Sequence, residues 1–117
     1  MSAGVYNITI EQGADFSLQF TWKDETGTPV DLSAYSARMQ IRETFDSDEY
    51  LVSLTSAVGG GLTLGGSNGT VLIDISSSVT ATLANQNAVY DIEMVSASNY
   101  VTRLMQGTVY VSREVTR

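Results

Sequence analysis

The 117-residue chain contains neither cysteine nor histidine. Without cysteine it has no disulfide, no thiolate metal site and no thiol nucleophile. Without histidine it lacks the commonest general base and the commonest transition-metal ligand, which excludes hydrolase triads built on an imidazole. Cations are scarce as well. Six Lys and Arg stand against thirteen Asp and Glu, leaving a formal charge of −7. Nucleic-acid binders gain affinity by neutralising phosphates, so this balance argues against nucleic acid and equally against an anionic membrane surface. The first residues, MSAGVYNITIEQGADF, carry no basic start and no long apolar run. Neither a signal peptide nor a transmembrane helix is predicted, and a cytoplasmic origin is expected.

What is present is an ordinary globular composition, with 43% hydrophobic residues. A chain of this length buries roughly two-thirds of its unfolded surface and forms one domain, here residues 1–117, without needing disulfides. Its hydrophobic pattern has period two. Tyr6, Ile8 and Ile10 alternate with Asn7 and Thr9, and Phe16, Leu18, Phe20 and Trp22 with Ser17, Gln19 and Thr21. The same alternation recurs at Ala37-Met39-Ile41, Val71-Ile73-Ile75, Tyr90-Ile92-Met94 and Val109-Val111. Six segments therefore read as strands with one face buried.

Turn signals separate them. Asp24 to Pro29 is a turn in which Gly27 can take positive φ, and Asn68-Gly69 is a strong short hairpin signal. The Asp31 carboxylate is expected to bond the backbone two residues on and fix the chain direction, with Val30 and either Leu32 or Tyr35 packing beneath. One helical turn is expected near 77–85, capped by a serine, with Val79 and Leu83 on one face. No βαβ pattern occurs. The prediction is an all-β, antiparallel immunoglobulin-like β-sandwich of about seven strands with that one short helical turn.

Candidate chemistry is thin. Asp46, Asp48 and Glu49 bring three carboxylates to one loop, yet the calcium-loop spacing and its glycine are missing, and a solvated loop tip is the simpler reading. The glycines at 59–61 and 65–66 are not followed by the Lys and Ser or Thr of a phosphate loop. Phe16, Phe20 and Trp22 look committed to the core, leaving few aromatics for a sugar platform. No nucleophile–base pair can be named, so no catalytic residue, cofactor, metal or small-molecule substrate is expected.

The segment TGTPVDLSAYSARMQIRE concentrates Arg38, Gln40 and Arg42 on one strand face. Two readings stand side by side: pairing with cross-strand acids such as Asp91 or Glu93, or an interface, where Arg is enriched. Tyr110 is a further exposed candidate on the corresponding face. Arg113 and Arg117 end the chain in an alternating, charged stretch. Residues 1–5 and 111–117 are the natural donors or acceptors of an added strand.

The stretch YNITIEQGADFSLQFTWKDETGTPVDLSAYSARMQIRE, with its G-x-P-V-D-L anchor after the second strand, resembles small virion proteins of tailed bacteriophages. It is similar in layout to the immunoglobulin-like N-terminal domain of phage upper baseplate proteins. NGTVLIDISSSVTATL, YDIEM and TRLMQGTVYVSREVT continue the likeness along nearly the whole chain. The resemblance implies a non-enzymatic virion structural protein of the tail, baseplate, neck or capsid surface, an accessory, hinge or adaptor assembled in the host bacterial cytoplasm. It implies other virion proteins, or copies of itself, as partners. The rival expectations are a carbohydrate-binding module, supplied by Tyr50, Tyr100 and Tyr110, and a calcium-dependent adhesion module.

Overall fold

The computed structural model describes residues 4–84 and 87–116. Two sheets pack face to face. The larger is built from β1 (Gly4–Val5), β2 (Ile8–Glu11), β4 (Ser36–Arg42), β5 (Val52–Thr55), β8 (Asn87–Val95) and β9 (Val101–Ser112); the smaller from β3 (Phe16–Thr21), β6 (Leu62–Leu64) and β7 (Thr70–Ile75). The large sheet runs β1-β9-β8-β4-β5, with β2 also on β9, and the small one runs β3-β7-β6. This is the strand order of an immunoglobulin-like sandwich. The alternation places Ile10, Met39, Ile41, Ile92, Met94 and Val109 against Val71 and Ile73 across the gap, all nearly or fully buried. Among the described residues no helix is long and apolar enough to cross a membrane.

The expectation of a purely antiparallel sandwich needs one correction. β1 and β2 run parallel to β9, with Gly4 opposite Met105 and Ile10 opposite Val111. The chain does not turn back on itself after β2. Gly13, at φ 82°, and the Ala14 N–H bond to Glu11 O carry it across to the other sheet. The first strand therefore lies beside the last, and such a pair needs no hairpin between them.

β1 and β2 are one edge strand interrupted at Tyr6 and Asn7. There the side chains take over the ladder: Asn7 Oδ1 accepts the Thr108 N–H at 3.0 Å, and the Tyr90 hydroxyl donates to the Tyr6 carbonyl. Burial, with the Tyr6 phenol second, pushes Tyr90 ionisation up to about 12, so it remains a donor at any physiological pH. Gly107 is required at this crossing, because a Cβ there would lie 2.2 Å from the Tyr6 carbonyl oxygen.

The turn expected at Asn68-Gly69 closes the β6–β7 hairpin, but not as a two-residue turn. Gly66–Asn68 form one 3-10 turn, and Gly69, at φ 69°, ends it in the left-handed conformation. A side chain at Gly69 would collide with the Trp22 carbonyl, 2.8 Å from the Cβ position. The short helical turn expected near 77–85 is α1 (Ser77–Thr80), with turn bonds continuing to Leu83; Asn85 lies outside the described residues. Ser76 makes no side-chain cap. Instead Asp15, from the loop before β3, accepts the Ser77 N–H at 2.7 Å. Leu83 is buried as expected, whereas Val79 is 37% exposed and Thr80 takes the inward place.

Candidate interaction face

The outer face of the large sheet holds three of the chain's six cations. β4 directs Ala37, Met39 and Ile41 into the core and therefore Arg38, Gln40 and Arg42 outward. Register sets their neighbours. Arg38 lies opposite Glu93 on β8 and Thr55 on β5, and Gln40 lies opposite Asp91 and Ser53. Arg38 Nε donates to Glu93 Oε1 at 2.7 Å, and Arg103 Nε stands 3.4 Å from Asp91 Oδ2. Cross-strand pairing, one of the two readings of this stretch, thus holds for Arg38. Both pairs are open to solvent, and each is worth a few tenths to about one kcal/mol. Their main effect is to fix where the charged side chains point.

Arg42 has a different task. Its Nη1 donates to the Ser47 carbonyl at 2.8 Å and its Nη2 to Gln40 Oε1 at 2.8 Å. Ser47 Oγ in turn accepts the Thr44 N–H. Arg42 therefore staples the loop between β4 and β5, which holds Phe45 82% exposed at the rim of the arginine face. Asp46, Asp48 and Glu49 are exposed on the same loop. Among the described residues no three acidic side chains gather as a metal group.

The ionisation of Asp91, on this face, is displaced. Burial, reinforced by the neighbouring Glu93, raises its pKa, against a smaller opposing pull from Arg103, Arg38 and Arg42. The face encloses a shallow groove of about 610 Å³ between the arginines, Phe45 and the β8 acids. Two other grooves, of about 690 and 750 Å³, lie around Gly59–Gly61. Asp15 and Asp74 reach the larger of these, and Asp15 is engaged on the Ser77 N–H.

The structure brings Arg38, Gln40, Arg42 and Tyr110 to one side of the large sheet. Tyr110 is on β9 opposite Asn87 and Thr9, in phase with Asp91 and Glu93. Arg113 is exposed just past the end of β9, away from the β4 cluster in sequence register, and Arg117 lies outside the described residues. Residues 1–5 and 111–117 were expected as donors or acceptors of an added strand. Gly4 and Val5 already pair with β9, and Val111 and Ser112 with β2, whereas residues 113–116 follow β9 and belong to no strand. Met1 to Ala3 lie outside the described residues. The three tyrosines of the carbohydrate expectation do not form a platform. Tyr50 precedes β5, Tyr100 stands on the β8–β9 turn, and Tyr110 is on the outer face.

Sequence reasoning missed Phe45 and Arg103. An aromatic within ETFDSDEY was a usable signal, since an apolar ring in an acidic loop has no core strand to belong to. Arg103 was not legible. Counting back from Val109 in steps of two places it inside, but a bulge at Leu104 shifts the register, so Met105 faces Ile92 while Arg103 faces Glu93. No protein-family model matches this chain, and no curated protein matches it in sequence.

Proposed function

We propose that the protein is a non-enzymatic structural subunit of a bacteriophage virion, acting through protein–protein contacts of its arginine face. The observation that carries the reading is the grouping of Arg38, Arg42 and Arg103, half of the six cations, on one sheet face with Phe45 exposed on the loop at its rim. Interfaces favour this combination of an aromatic anchor and planar guanidinium groups. The strand layout agrees with the resemblance of the sequence to small virion proteins, and a sandwich whose polar side chains are engaged with one another suits a part that functions by docking. The expected neighbour presents carboxylates around an apolar pocket able to receive Phe45.

The reading is tested by mixing purified protein with disrupted virions and following co-sedimentation. Phe45→Ser and Arg38→Glu are expected to weaken binding by about tenfold or more each, as for interface anchors worth over one kcal/mol, while melting within about 1 kcal/mol of the parent. Undiminished binding by both variants removes this face from the account.

A further inference from the structure

The two sheets present four edges, and three of them are blunted. The β1–β2 edge is broken at Tyr6 and Asn7, β5 has four residues, and β6 has three beside a run of glycines. The fourth, β3, is six residues long, FSLQFT, with neither a charge nor a proline to discourage pairing. Among the described residues its only strand partner is β7.

The backbone polarity of β3 follows from one bond. Trp22 N–H donates to Gly69 O at the end of the β3–β7 pair. In an antiparallel ladder alternate residues bond the same neighbour, so Phe20, Leu18 and Phe16 address β7, and Ser17, Gln19 and Thr21 direct their N–H and C=O groups outward. On the inner face Phe16, Leu18, Phe20 and Trp22 pack against the core, as expected for the aromatics, but each stays partly exposed.

We propose that β3 pairs antiparallel with β3 of a second copy of this chain about a two-fold axis at Gln19, joining two small sheets into one of six strands. In that register Asp15 of each copy lies opposite Lys23 of the other, Phe16 opposite Trp22, Ser17 opposite Thr21 and Leu18 opposite Phe20. Every pair shares a face, as antiparallel pairing demands. The two ends match in charge, Lys23 exposed and Asp15 exposed while its Oδ1 accepts the Ser77 N–H, and the partly buried apolar row gains cover from its own symmetry mate. No other small offset that keeps faces matched sets both terminal charges against their opposites.

The absence of cysteine makes the test direct. Gln19→Cys places the two thiols opposite one another on the axis, about 5.5 Å apart at Cα, within reach of a disulfide. Ser17→Cys places them four residues out of register, beyond reach. Under mild oxidation the Gln19→Cys variant is expected to cross-link to twice 12.6 kDa, the Ser17→Cys variant not. In sedimentation equilibrium the parent is expected to dimerise. Gln19→Lys, which sets like charges face to face without touching the β7 ladder, is expected to raise the dimer dissociation constant about fivefold. A parent that stays monomeric at hundreds of micromolar, or cross-linking of Ser17→Cys as readily as Gln19→Cys, overturns the proposal.

Discussion

The Thr80 hydroxyl is fully buried, accepting the Gly13 N–H at 3.0 Å and donating to Ala14 O at 2.8 Å. With the Tyr90 hydroxyl it is one of two buried hydroxyls among the described residues, and it ties the crossing from β2 to β3 onto α1. Thr80→Val keeps the shape and strands the Gly13 amide, which should cost about 1–3 kcal/mol in a denaturant titration. Thr80→Ser is expected to retain most of that. A Thr80→Val variant as stable as its parent would remove the tie. Asp31 was readable in advance: its carboxylate takes the Ser33 N–H at 3.0 Å and the Ser33 hydroxyl at 2.6 Å. Thr80 was not readable, since a threonine in SSVTATLAN matches solvent as well as core.

Acidity acts on three carboxylates with opposite signs. Hydrogen bonds from the Ser33 hydroxyl lower Asp31, and those from the Thr26 hydroxyl and the Thr28 amide lower Asp24, from the ordinary value of 3.8. Their support is complete above 3.8 and fades as pH falls through the lower folded values. Asp91 is raised by burial, so its charged form opposes folding above its folded pKa, and that penalty is relieved as pH falls toward 3.8. Asp91→Asn should therefore melt higher than the parent at pH 7, with the gap closing on acidification toward 3.8. A lower melting temperature at pH 7 would mean that the Arg103 ion pair outweighs burial.

At the scale of elements, the strands were legible because alternation forces one face inward. The β6–β7 hairpin and the contact of Arg38 with Glu93 across β4 and β8 were legible too, but the partner of the first strand was not. Nothing in YNITIEQ says that it runs parallel to the final strand, because that pairing joins segments about a hundred residues apart. It depends on Gly107 letting the Tyr6 backbone approach and on Tyr90 bonding the Tyr6 carbonyl. Gly107→Ala is expected to lift β1 and the start of β2 away from β9. Limited proteolysis should then cut near Tyr6 many times faster than in the parent, with the remaining sandwich intact. Unchanged protection of this segment would contradict the crossing. The bulge at Leu104 was equally hidden, and with it the outward turn of Arg103, so the face looked two arginines strong where it holds three.

At the scale of the molecule, a charge of −7 is distributed so that half the cations share one sheet face, where Arg38 and Arg103 pair with Glu93 and Asp91, while most of the other acids occupy loops. The three guanidinium groups, offset in part by Asp91 and Glu93, leave this face with a local positive excess toward which an acidic surface would be steered. Binding through that face should therefore weaken as salt rises over the range where the Debye length shrinks from about 10 Å to about 3 Å. Of the six residues singled out in the sequence, four share this side of the large sheet because strand phase is set locally. Their grouping with Phe45 depends on the Arg42 bond to the Ser47 carbonyl, a contact no periodicity reveals.

The central claim is that this sandwich is a built-in part of a virion. Quantitative mass spectrometry of purified particles produced from the genome that encodes the chain tests it most directly. The account predicts the protein in those particles at a fixed ratio to a tail, neck or capsid subunit, retained after washing at moderate salt. Abundant protein in the producing cells but none in the purified particles would contradict it.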